Sequence, residues 1–164
     1  MRNAECGMRS GMCWLLVAGA LVASGVLALA DEPQFALETH RGHVVFLHEA
    51  LARRFGITTV PEAAERTLAL EKADGTLIPI VEDVRGRAFR ADERLRQPEV
   101  EVLARRHRGS PAIQVIRLFE VAKDVKYELD YWCDVCAISM VELKPCECCQ
   151  AETVLRRRKV ESAP

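Results

Sequence analysis

Cys133, Cys136, Cys146, Cys148 and Cys149 fall within seventeen residues near the C-terminus of this 164-residue chain. Cys133 and Cys136 form one C-x-x-C pair and Cys146 and Cys149 another, with nine residues between them. Thiolates are soft, anionic ligands, and a C-x-x-C turn presents two sulfurs to the same side of an ion. Two such turns supply four ligands for a tetrahedral metal site. Cys148 lies inside the second turn, as an alternative ligand or a free thiol. Zinc suits four thiolates, but iron and copper(I) accept them as well. Disulfides are the competing chemistry: five cysteines outside the cytosol would give two bridges and leave one free thiol.

The quoted pairs resemble the zinc-ribbon and rubredoxin-like modules over about residues 131–158. That resemblance implies a small β-ribbon carrying Cys133, Cys136, Cys146 and Cys149 as ligands. The spacer is shorter than the fifteen to twenty residues more usual for such pairs. Ala137 and Gln150 also stand where a ribbon knuckle often has glycine. Ile138, Met140, Val141 and Leu143 in the spacer offer a small apolar pad, and Tyr131 and Trp132 precede the first pair. Hydrophobic packing is the expected role of this aromatic pair, with screening the site or lining a contact surface as the alternatives.

Other candidate chemistry is weaker. His43 and His48 would point to opposite faces of an extended strand, and His40 and His48 would lie about 26 Å apart along it. His107 stands alone among arginines. These four are expected to be ordinary core or surface histidines. Asp83, Asp92 and Glu93 lie among Arg85, Arg87, Arg90, Arg94 and Arg96, a density that predicts ion pairing within a loop. No nucleophile elbow, zinc-protease helix, phosphate loop or haem-attachment motif occurs, and no enzymatic activity is expected.

The elements that must position the cysteines follow from hydrophobic periodicity. A first strand is predicted after Gly42, through Val44 and Phe46 toward His48, followed by a short helix to Phe55 that Gly56 stops. Residues 61–65 predict a short helix or loop. Strands over 67–71 and 77–82 flank the hairpin signal Ala73-Asp74-Gly75. Residues 84–95 read as a charged loop with a helical turn, anchored by Phe89 and Leu95. Strands then follow over 99–106, 113–121, 125–132 and 153–160. Five or six short antiparallel strands predict a mostly β fold: a small OB-like barrel over 36–130 with short helical insertions, then the metal-binding ribbon over 131–160.

The N-terminus predicts the compartment. Trp14–Ala30 is uncharged and apolar, and Ala28-Leu29-Ala30 has the small-x-small form of a signal-peptidase site. Residues 1–30 are therefore expected to be a signal peptide, making the protein periplasmic or secreted. The alternative is an uncleaved inner-membrane anchor, since seventeen residues lie at the short end for a span. Without the leader, Lys+Arg falls from 23 to 21 and Asp+Glu from 24 to 23, so the net charge is about −2. Such a balance, with few aromatics, argues against nucleic acid as partner. The basic run Arg156–Lys159 is expected to be a solvated edge. Function then divides in two. The metal is structural, serving an exported module that binds an unknown protein or cell-envelope partner, or the cysteine cluster itself acts in redox or metal transfer.

Overall fold

The computed structural model describes residues 34–161; the leader expected over 1–30 lies outside the described residues. The chain runs through β1 (Phe35–Phe46), α1 (Leu47–Phe55), β2 (Leu68–Glu71), β3 (Leu77–Pro79), α2 (Val84–Ala91), β4 (Val100–His107), β5 (Ile113–Ala122), β6 (Val125–Cys133), β7 (Ile138–Met140) and β8 (Val154–Lys159). Short 3-10 helices at Pro61–Ala63 and Glu93–Leu95 complete it. All strand pairs are antiparallel, in the order β3-β2-β1-β4-β5-β6-β7, and β8 also pairs with β6.

β1 begins at Phe35, well before the glycine expected to precede it. Gly42 is instead an interior point of the strand, where β1 passes from β4 (Phe35–Gly42) to β2 (His43–Phe46). A Cβ at this position would overlap the Glu71 carbonyl, so the glycine marks a close backbone approach rather than a strand start. The stop at Gly56 holds: this residue is left-handed, and its amide donates to the Ala52 carbonyl. Lys123 and Asp124 also hold positive φ, the requirement of a two-residue hairpin turn between β5 and β6.

The segment expected to be mostly loop is more helical than its charge suggested. Asp83 caps α2 by accepting from the amides of Arg85 and Gly86 at 3.0 and 3.1 Å. Phe89 and Leu95 turn inward, and both are buried. They join Val44, Leu68, Leu70, Val100, Val102, Ile113 and Leu118 in one core between the sheet and α2.

The expected closed barrel is not formed, and the sheet stays open. Just past β3, Ile80 meets β5 at a single parallel bridge to Ile113, with the Val81 amide donating to the Ile113 carbonyl at 2.9 Å. Pro79 ends β3 after three residues and has no N–H to donate. The chain then turns into the Asp83 cap, so no longer ladder closes the seam.

β6 carries the main sheet to the cysteines. Residues Val125–Glu128 pair with β5, and Tyr131–Cys133 pair with β7. Tyr127–Trp132 pair with β8. Each strand has two edges, so β5 and β7 share one edge of β6 in succession and β8 holds the other. Leu129, Tyr131 and Met140 of this region belong to the same core as Phe89. Among the described residues, no helix is long and apolar enough to cross a membrane.

Candidate metal centre

Cys133 is the last residue of β6, and its register partner Ile138 begins β7. The first C-x-x-C pair therefore occupies the hairpin turn between these strands. Its backbone closes with the Ala137 amide donating to the Cys133 carbonyl at 2.8 Å. The second pair repeats the design, with the Gln150 amide donating to the Cys146 carbonyl at 2.9 Å. Ala137 and Gln150 both hold left-handed backbone, at φ 53° and 62°. The positions where the sequence lacks the usual knuckle glycine thus adopt the conformation that glycine favours.

The second turn is held by its surroundings. The Cys146 amide donates to the Ala151 carbonyl at 2.8 Å, and the Thr153 hydroxyl donates to the Lys144 carbonyl at 2.8 Å. These bonds fasten the turn from both sides. β8 then sets its height against the first turn, because Val154 is opposite Trp132. Arg156 fixes that register by donating to both Asp130 carboxylate oxygens at 2.9 and 2.6 Å, while Ser139 on β7 donates to Asp130 at 2.8 Å. One buried carboxylate therefore spans the three strands that carry the cysteines. The Arg156 guanidinium also stacks over Trp132, 3.7 Å from the ring centroid.

Two further contacts tie this end to the main sheet. Tyr131, two residues before Cys133, donates its hydroxyl to Asp92 at 2.6 Å in a buried contact. Asp92 also receives a two-point contact from the Arg94 side chain. Arg94 is the leading cause holding the Asp92 carboxyl down at about 2, against the cost of burial and with help from Tyr131. Arg87 of α2 donates to both oxygens of the buried Glu142 at 2.8 and 2.9 Å. Asp92 is ion-paired to Arg94, as the charge density predicted, whereas Asp83 caps α2 and accepts from Gln114, and Arg87 pairs with the remote Glu142.

The sulfurs of Cys133, Cys136, Cys146 and Cys149 converge, all within 4.8 Å of one another. A tetrahedral ion with metal–sulfur bonds of about 2.3 Å separates its sulfurs by roughly 3.8 Å. The Cys133 and Cys149 sulfurs are already 3.5 Å apart. The four cysteines are positioned to bind a metal ion. Cys133 and Cys146 are buried, Cys136 is half-buried and Cys149 is exposed. Cys148 is exposed and lies outside the group of four converging sulfurs. None of the five is in a disulfide.

The electrostatics favour a cation. Amide donation from Cys149, joined by that of Cys148 and by the Cys133 thiol, lowers Cys146 to about 7 despite burial. At Cys133 the Cys136 amide favours the thiolate, but burial and the thiols of Cys146 and Cys149 outweigh it and push the group up. The thiols of Cys149 and Cys148, followed by burial, push Cys136 up more strongly. One thiolate is readily accommodated here, but four so close repel one another unless a cation sits between them.

The histidines do not assemble a second site. His40 contacts Glu38 at 2.8 Å, His48 accepts from the Glu65 amide at 3.4 Å, and His107 packs on Phe35. Among the described residues the four cysteines form the one group of ligand side chains close enough to share an ion. Sequence reasoning missed Asp130 as the carboxylate that aligns the three strands. Its alternation on β6 opposite Arg156 was the available signal. No protein family, curated protein or solved structure matches this chain.

Proposed function

We propose that this is an exported protein in which one zinc ion, held by Cys133, Cys136, Cys146 and Cys149, fixes a three-strand platform that binds a partner. The convergence of the four sulfurs within 4.8 Å carries the reading. A structural role is supported by the placement of the thiols. They join the β6–β7 turn to the segment entering β8, so an ion there would lock two turns that otherwise rest on short loops. The burial of Cys133 and Cys146 fits a permanent site.

The remaining sheet supports an OB-like arrangement left open at its seam. β1 pairs with both β2 and β4, α2 lies between β3 and β4 in the chain, and Ile80, just after β3, bridges β5 in parallel. Val135, Leu143 and Val154 expose apolar side chains around the cysteine turns, with Val135 73% exposed at the tip. This supports an unknown protein or cell-envelope component as partner. Arg156, Arg157 and Arg158 are paired to Asp130, Glu120 and Glu128, which leaves little basic charge for nucleic acid. Binding rather than catalysis is the proposed activity.

The test is metal content and free thiols measured together on protein exported by its native leader. One zinc per chain and five titratable thiols are expected. Cys133→Ser should release the metal while the main sheet survives. Iron in place of zinc would redirect the function to electron transfer. No metal with a single thiol would establish two disulfides and refute the reading.

A further inference from the structure

β8 leaves the second cysteine turn and is bonded along one edge. It pairs with β6, and among the described residues no other strand pairs with it. The Val160 amide donates to the Lys126 carbonyl at 2.9 Å, which fixes the phase of this ladder. In an antiparallel pair, alternate residues exchange both bonds with the partner, and the residues between them face away. Val154, Arg156 and Arg158 therefore bond β6, while Leu155, Arg157 and Lys159 aim their amides and carbonyls outward. That outer edge is a row of three donors and three acceptors, a template for one more strand.

Charged side chains commonly guard such an edge. Here the arginines are drawn back over the sheet instead. Arg157 donates to Glu120 of β5 at 2.6 and 2.8 Å and stacks over Tyr127 of β6, while Arg158 donates to Glu128 of β6 at 2.7 Å. Arg156 is held by Asp130 in the same direction. Lys159 is exposed and has no ion pair among the described residues. At the other end of the strand, beside the cysteine turns, Val154 exposes an apolar side chain.

We propose that β8 takes up an extended segment of a partner protein as an additional strand, with apolar side chains toward Val154 and a carboxylate toward Lys159. This names the docking edge of the partner-binding platform and rests on that reading. The ion would serve the edge by fixing the turn from which β8 starts. A second copy of this chain is the wrong occupant. Two β8 strands laid antiparallel along their outer edges set Arg157 against Arg157 and Arg156 against Arg158, and like charges directly opposite are repulsive.

The experiment follows amide hydrogen exchange by NMR in the exported, zinc-loaded protein. The probe is a short capped peptide with glutamate on one face of its extended form and valine and threonine on the other; its lysine-for-glutamate version is the control. In the free protein, Leu155, Arg157 and Lys159 should exchange fast and Val154, Arg156 and Arg158 slowly. The glutamate peptide should slow the outward three, and the lysine peptide should not. R157A and R157P both lose the side chain, but only the proline loses the outward amide, and the β6 ladder bonds belong to its neighbours. R157P should bind the peptide about tenfold more weakly than R157A. Lys159→Glu, which keeps the backbone, should weaken binding about three- to tenfold.

Outward amides that exchange slowly in the free protein, or that stay fast with the glutamate peptide at millimolar concentration, would overturn the proposal. So would equal peptide affinity in R157A and R157P; if R157P does not fold, the exchange pattern of wild type decides alone. Protection that rises with protein concentration, with a doubled mass in sedimentation, would assign the edge to a second copy and overturn it as well. Absence of zinc from the exported protein would instead refute the metal reading, so the two failures are distinguishable.

Discussion

Replacing Ala137 or Gln150 with glycine should stabilise the protein, although each change removes a side chain. Both residues are exposed and hold left-handed backbone, at φ 53° and 62°, immediately after a cysteine pair. An L-residue pays roughly 1–2 kcal/mol for that conformation. Glycine adopts it freely but loses about 0.4–1 kcal/mol through the greater freedom of its unfolded chain. The net gain is then about 0.5–1 kcal/mol per turn, or about 1–2 kcal/mol for both. Unfolding entropy per residue makes that roughly 4–8 °C in midpoint for a domain of this size. The assay is thermal unfolding with zinc and with chelator, alongside zinc affinity. If both turns persist without metal, the midpoint rises in either condition. If they form only around the ion, the gain appears as several-fold tighter zinc binding, with the chelated midpoint unchanged. Ala137→Val is the opposing control, because a β-branched residue tolerates positive φ poorly and should destabilise. Loss of stability and of zinc affinity in both glycine variants would refute the backbone argument.

Three other perturbations test how the site is positioned. Gly42→Ala should cost about 2 kcal/mol or more in urea unfolding, because the added methyl overlaps the Glu71 carbonyl where β1 crosses to β2; a neutral result would refute this close approach. Tyr131→Phe should cost on the order of 1–3 kcal/mol at neutral pH by removing the buried donor to Asp92. The folded Asp92 carboxyl is held below its ordinary value, so its contribution is present above about pH 4 and is lost as pH falls toward 2. Urea titrations across that window should show a shallower acid-side loss in the variant, and an unchanged slope would separate Tyr131 from Asp92. Asp130→Asn should weaken zinc binding about tenfold by loosening β8 on β6 without touching a ligand, as chelator competition would read; unaltered affinity would mean that the cysteines alone set the geometry.

Much of the strand pattern was legible because solvent on one face and core on the other leave an alternation in the residues. Val100, Val102 and Ala104 announced β4, and all three are buried. Closure of the sheet left no comparable mark. It depended on where β3 ends relative to β5, and Pro79 followed by the Asp83 cap leaves one bridge between them. Gly42 was legible as a special position but not as a crossing point, since the Glu71 carbonyl that demands the missing Cβ is remote in sequence. The helical extent of 84–91 was obscured by its arginines: Arg87 and Arg90 are exposed, whereas Arg85 is half-buried and donates to the Ile116 carbonyl, and Ala88 and Phe89 turn in.

The sequence by itself determined which groups can take a metal and how they are paired, because C-x-x-C spacing is a local property of a tight turn. It also carried the left-handed demand at Ala137 and Gln150, visible as a glycine expected and not found. Only the tertiary structure decided that the two turns face each other. That depends on β6 holding β7 on one edge and β8 on the other, a register set by Asp130, Arg156 and Ser139. Long-range pairing also decided which thiols are buried and which are open. Burial is the sum of contacts from strands distant in the chain, and no local spacing encodes it.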